Sequence, residues 1–158
     1  HTIIHQHFKG WVIETQEPSF QTDAFTMMDY RYPYKNTTSF MYVLPFSKTK
    51  ALVEYTFFTP DLVDDSVYDH ALETYIQEEL QINDYTILET EIGHIPMTDF
   101  KFWNYNTAKV TKIGTGGGWV KGSTGYSFKH TEKHVAKIIQ NIKRNKIPSD
   151  NLFQKKYK

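Results

Sequence analysis

Lys50-Ala-Leu-Val-Glu-Tyr-Thr-Phe-Phe-Thr59 is rich in β-branched and aromatic side chains, the composition of a strand with both of its faces in use. Alternation sets Leu52, Glu54, Thr56 and Phe58 on one face and Val53, Tyr55 and Phe57 on the other. Residues 2–15, 24–30 and 39–46 have the same character, so the first half of the chain predicts four strands. Turn chemistry separates them at Glu17-Pro18, at Pro33 with Asn36, and at Ser47-Lys48-Thr49, a gap short enough for a hairpin.

From Ser66 onward the period lengthens. Tyr68, Ala71, Leu72, Tyr75, Ile76 and Leu80 recur at helical spacing, with Ser66 as the expected N-cap after Pro60. Asn83-Asp84 breaks this helix, and residues 85–97 read as a strand ending at Pro96, with Gly93 marking a bulge. Residues 108–113 form a further short strand that runs into a glycine cluster. A second helix is expected over residues 124–145, with Val135, Ile138, Ile139 and Ile142 as its apolar side. The fold class expected is therefore α+β: a mixed, largely antiparallel β-sheet with flanking helices. Residues 1–113 supply the sheet and one helix, residues 114–147 the glycine-rich loop and second helix, and residues 148–158 a polar basic tail.

Composition narrows the functional classes. The 158 residues, 18.6 kDa, suit one domain or little more, and the absence of cysteine excludes a disulfide-stapled scaffold while permitting a reducing compartment. Eighteen basic residues balance eighteen acidic ones, so net charge gives no argument for a nucleic-acid partner. Charge is nevertheless segregated: residues 51–100 hold twelve Asp or Glu and no Lys or Arg, and residues 101–158 hold thirteen basic and two acidic residues. Two solvated faces, one half docking on the other, or a basic segment that favours an anionic cofactor or a lipid surface would each account for this. Eleven Phe, eleven Tyr and three Trp suit a β-rich core or a large apolar ligand. The longest apolar run, residues 40–46, is far short of a membrane span. The chain opens on His1, without a signal-peptide pattern, as an excised piece would.

Two places could carry chemistry. Six of the eight glycines fall between Gly114 and Gly125, where they form either a flexible turn or a loop whose backbone approaches a nucleotide. The spacing is neither G-x-G-x-x-G nor a P-loop, since Gly122 separates Lys121 from Ser123. Glu54 is the other. Turned inward it would hold its proton near neutrality and serve as a general acid; turned outward it is a rim carboxylate. The histidines, at positions 1, 5, 7, 70, 94, 130 and 134, make no metal-binding frame, and a G-x-S-x-G elbow is missing.

Five segments taken together resemble the lycopene cyclase family of flavoproteins. They are Gln6-His-Phe-Lys-Gly-Trp-Val-Ile-Glu14, Tyr42-Val-Leu-Pro-Phe-Ser47, Leu52-Val-Glu-Tyr-Thr56, Gly93-His-Ile-Pro-Met97, and Ile113-Gly-Thr-Gly-Gly-Gly118 with Ser123-Thr-Gly-Tyr126. The resemblance, over about residues 3–145, implies the substrate domain of a flavoprotein-hydroxylase-like fold, excised from its dinucleotide-binding part and from a C-terminal helical portion. It implies reduced FAD in a non-redox role, NAD(P)H as reductant, lycopene as substrate, and a cytoplasmic protein held peripherally at a membrane surface. It places the cyclisation acid, or a stabiliser of the charged intermediate, at Glu54. It sets Gly114, Gly117, Thr124, Gly125 and Tyr126 against the flavin, with the following helix N-terminus facing the cofactor, and Pro96-Met97 at the site entrance. Gly116 and Gly122 depart from the family's usual alanine and proline. A flavin oxidoreductase acting on another long apolar molecule, and a non-catalytic domain with an aromatic-lined cavity, are the competing expectations.

Overall fold

The computed structural model describes residues 3–153, in two compact units, one of them Ile4–Pro96 and the other built mainly on the residues from Met97 onward. The basic tail expected at residues 148–158 lies partly outside the described residues.

The first unit is a five-stranded antiparallel sheet. Its strands are β1 (Ile3–Glu14), β2 (Thr26–Asp29), β3 (Thr38–Pro45), β4 (Lys50–Thr59) and β5 (Thr86–Thr98), in the spatial order β2-β3-β4-β1-β5. The α+β expectation is met, with an antiparallel sheet in place of the mixed one. The expected hairpin joins β3 to β4, which pair from Thr38↔Phe58 to Pro45↔Ala51. On its other side β4 pairs with β1, from His5↔Thr59 to Glu14↔Lys50. β5 runs two residues past Pro96, which the sheet tolerates because β5 is an edge strand. At Gly93 the reason for glycine is contact: a Cβ there would collide with the Phe8 ring.

Helix α1 (Asp65–Glu78) covers one sheet face. Trp11 and Ile13 of β1, Met41 and Val43 of β3, and Val53, Tyr55 and Phe57 of β4 pack there against Tyr68, Leu72, Tyr75 and Ile76. The helical stripe is as the sequence requires, but the N-cap is Asp64 and not Ser66. The extended backbone of Asp64 starts the helix two residues earlier, where Asp65 meets the positive end of the helix dipole. Lys9, buried on this face, reaches Asp69 of α1 at 2.6 Å and Asp65 at 3.9 Å.

In the second unit two expectations fail. Residues 108–113 are not a strand: the amides of Lys109 and Val110 bond the Thr107 hydroxyl, Lys112 bonds the Asn106 side chain, and Thr107 closes on the Val110 carbonyl. Side-chain acceptors thus hold the segment in a local turn before any ladder can form. The second helix, α2 (Phe128–Lys143), begins four residues later than expected. Its Val135, Ile139 and Ile142 are exposed, while His134 packs on Trp119 and Phe153 and the buried Asn141 donates to the carbonyls of Pro148 and Asp150. This helix is anchored by a polar and aromatic side, not by the apolar stripe that the pattern singled out.

Candidate functional site

The sheet face opposite α1 is built from Phe8, Gly10 and Val12 of β1, Phe40, Tyr42 and Leu44 of β3, and Leu52, Glu54, Thr56 and Phe58 of β4. Phe40, Thr56, Leu52 and Val12 are buried there, and Phe40 meets the rings of Tyr30, Tyr42 and Phe58. Glu54 occupies the middle of this surface, paired with Gly10 on one side and Tyr42 on the other. Its Oε1 accepts a 2.7 Å hydrogen bond from the Thr56 hydroxyl.

The other partner of Glu54 is Glu91 on β5. These strands are not neighbours. β1 lies between them, so their backbones stand about 10 Å apart, two strand spacings. The side chains meet because Gly10 has none: a Cβ there would lie 3.3 Å from Glu54 Cβ, 3.3 Å from Glu91 Cγ and 2.9 Å from Leu52 Cδ1. Both carboxyl stems converge on the space over Gly10, close enough for one carboxyl to donate to the other when it carries a proton. Burial is the main reason that Glu54 is pushed up to about 7. The Thr56 bond acts in the other direction, and the Glu91 hydrogen bond and charge add to the rise. Burial, with the charge of Glu54, also raises Tyr42.

Glu91 and Gly10 were not singled out by the sequence reading, although both lie in segments that it quoted or treated as strand. The usable signal was the combination of a glycine inside an otherwise apolar strand with the absence of any Lys or Arg in residues 51–100.

The glycine-rich loop belongs to the second unit. A short 3-10 turn spans Thr115–Gly117, with Gly117 donating to the Gly114 carbonyl, and Gly114 itself adopts φ +59° and ψ −143°. A side chain built at Gly114 or Gly116 would meet nothing within 4 Å, so the backbone there is open to an approaching group. The amides of Thr115 and Gly116 precede the first bond of this turn and have no partner among the described residues. Gly117 is different. It is buried, and a Cβ would collide with the Lys112 carbonyl.

Thr124, Gly125 and Tyr126 form a separate turn ahead of α2, not its first turn. Thr124 and Gly125 both donate to the Lys121 carbonyl, and Tyr126 donates to the Thr124 hydroxyl. Their amides are thus occupied internally, and the helix N-terminus expected at these residues lies at Phe128. Of the five expected cofactor contacts, Gly114 alone combines open space with positive φ and a place at the mouth of unpartnered amides. The first half of the loop fits a flavin or pyrophosphate approaching the backbone; in the second half the amides of Thr124, Gly125 and Tyr126 are taken up within the turn.

On the sheet face a half-buried Glu54 stands among aromatic side chains, and the glycine turn offers open backbone. The family profile described as lycopene cyclase protein matches residues 1–157. The chain belongs to the lycopene cyclase family. That places this cyclase chain in carotenoid biosynthesis. Among curated proteins no sequence matches the chain. In the lycopene cyclase chain, groups of three or more His, Cys, Asp or Glu able to hold a metal do not occur among the described residues. No helix among them is long and apolar enough to cross a membrane.

Proposed function

We propose that this chain is the substrate-side sheet and flavin-contact loop of an FAD-dependent lycopene β-cyclase of flavoprotein-hydroxylase-like fold. The reaction is an isomerisation that closes the linear ψ ends of lycopene into β-ionone rings, with no net oxidation. Adding a proton to an alkene makes a tertiary carbocation, so the site needs an acid kept out of water, an absence of competing nucleophiles and polarizable walls. The half-buried Glu54 carboxyl at the middle of this face, hydrogen-bonded to Thr56 and pushed up to about 7 mainly by burial, is the observation that carries the reading. Phe40, Tyr42, Phe58 and Phe8 supply aromatic faces on the same side of the sheet.

FAD would approach the backbone at Gly114–Gly116, with the amides of Thr115 and Gly116 as donors. Bound there in reduced form, FAD would supply negative charge without net redox change, with NAD(P)H as reductant. Glu54 delivers the proton at its carboxyl oxygen, Thr56 orients that carboxyl, and the apolar face excludes water. Because lycopene dissolves in lipid, the protein works as a cytoplasmic enzyme at the membrane surface, together with a dinucleotide-binding part of the same protein.

Product analysis with lycopene, reduced FAD and the complete protein tests this reading. Glu54→Gln keeps the shape and removes the titrating proton, and should lower cyclisation by about 10²–10⁴-fold. Undiminished cyclisation removes the acid role from Glu54.

A cavity of about 360 Å³ on the other sheet face, lined by Tyr32, Tyr34, Tyr55, Val67, His70 and Thr74, supports a second reading. In that reading the chain is a non-catalytic binder of an apolar molecule. Saturable binding of lycopene with no product, even with reduced FAD and the complete protein, would favour it.

A further inference from the structure

We propose that Glu54 and Glu91 act as one acid that holds a single proton between two carboxyl groups, with Glu91 as a second proton-handling residue of the site. The inference rests on the cyclase reading above and extends it to a residue that no motif designates.

Geometry carries the argument. Gly10 leaves a gap over β1 that brings a carboxyl from β4 and a carboxyl from β5 together across an intervening strand. Two such groups close together cannot both ionise, so one proton remains shared between them. Among the described residues of this sheet and α1, no free cation faces the pair. Neither β4 beyond Lys50 nor β5 contains a Lys or Arg, Arg31 is engaged with Asp29 and Glu79, and Lys9 faces α1 with Asp69. The titratable groups facing the pair are Tyr42 on β3 with Tyr30 beyond it, and Glu89 on the same strand as Glu91. The β1 residues of this face, Phe8, Gly10 and Val12, contribute none.

For an isomerisation this arrangement closes a proton cycle. The O–H bond of the pair breaks as a C–H bond forms on the terminal alkene, leaving two carboxylates beside a carbocation. The cation attracts both charges, and the alkene that attacks it closes the ring. A C–H bond next to the new cationic carbon then breaks, its electron pair forming the ring double bond while its proton returns to a carboxylate oxygen of the pair. Atoms and charge balance, and no external base or oxidant enters.

The test has two parts. In the chain itself, carbon-13 NMR of the glutamate carboxyls follows Glu54 with pH. Glu91→Gln, which keeps the shape and removes the charge, should lower the Glu54 midpoint by about one pH unit. Should that variant fail to fold, Glu91→Asp, which withdraws the carboxylate, should lower it as well. An unmoved midpoint overturns the shared proton. In the complete enzyme, the alkaline limb of the cyclisation pH profile should move to lower pH in Glu91→Gln by the same shift. A shifted Glu54 midpoint with an unchanged pH profile and rate would overturn the role of Glu91 in the reaction and leave Glu54 as sole acid. Cyclisation retained in Glu54→Gln would instead sink the reading of the site itself.

Discussion

Gly10 stands directly across from Glu54 in the β1–β4 register, and the space left by its missing side chain is where Glu54 meets Glu91. The added methyl of Gly10→Ala would press on Leu52 Cδ1 at 2.9 Å and on both glutamate stems at 3.3 Å. Overpacking of this kind should cost about 1–3 kcal/mol in urea denaturation. The same methyl should hold Glu91 away, so the Glu54 midpoint falls in carboxyl NMR. A variant that matches the parent in both measurements would show that the gap has no such function.

Glu54 also makes stability depend on pH. Burial first, and Glu91 with it, raises its carboxyl from 4.5 to about 7 against the pull of Thr56. The folded protein therefore keeps a proton that the unfolded chain releases. That contribution is complete below pH 4.5 and is lost as pH rises through about 7, in total on the order of 3 kcal/mol. Glu54→Gln lacks this dependence, so the stability difference between the variant and the parent should move in the variant's favour from about pH 5 to about pH 8. Parallel stability curves would refute the raised carboxyl.

How much of this was legible follows from range. The 50–59 run declared its strand and the partition of its two faces, because alternation is a property of adjacent residues. Likewise Tyr68, Leu72, Tyr75 and Ile76 declared α1 by spacing alone. What Glu54 touches was not legible, since Glu91 lies 37 positions away and meets it only through the β4-β1-β5 order. Residues 108–113 misled in the opposite sense: their strand-like pattern lost to the side chains of Asn106 and Thr107, which satisfy the amides locally. In α2 the apolar stripe is legible as a pattern, but which side anchors the helix is not, because Asn141 and His134 make those contacts.

His7 gives an independent check of the core. It is fully buried between Thr59 and Tyr68, with Nε2 2.6 Å from the Thr59 hydroxyl and Nδ1 bonded to the Tyr68 hydroxyl. Thr59 spends its proton on the Asp61 carbonyl, so it accepts from Nε2–H, and Nδ1 accepts from Tyr68. Burial, then the charges of His94 and His5, hold the ring below its ordinary 6.5. Nitrogen-15 NMR should find Nε2 protonated and Nδ1 bare in the neutral ring, with the titration midpoint below the ordinary 6.5. The stability that this neutral ring confers is present above 6.5 and is lost as pH falls below it. A midpoint not below 6.5 would contradict the assignment.

The pairing of Lys9 with Asp69 is unequal, the lysine side chain being 10% exposed and the aspartate 39%. Removing the partner that water can replace therefore differs from removing the one it cannot. Asp69→Asn leaves a buried ammonium with only Asp65, at 3.9 Å, and should cost about 3 kcal/mol. Lys9→Met leaves an aspartate whose side chain is 39% exposed though its Oδ1 is buried, and should cost less, about 1 kcal/mol. Urea denaturation of the two variants decides it, and equal losses would mean that the ammonium finds water despite its burial.

Gly114 and Gly116 separate backbone strain from ligand approach. At φ +59° and ψ −143° Gly114 occupies a region in which side-chain-bearing residues are strained, so Gly114→Ala should cost about 1–3 kcal/mol although its methyl would meet nothing. Gly116 has neither a positive φ nor a neighbour within 4 Å, and Gly116→Ala should leave stability within about 0.5 kcal/mol of the parent. A loss of FAD affinity in Gly116→Ala at unchanged stability would therefore report a methyl standing where the flavin has to come. If FAD binds the complete protein equally well with alanine at both positions, the cofactor does not approach this turn.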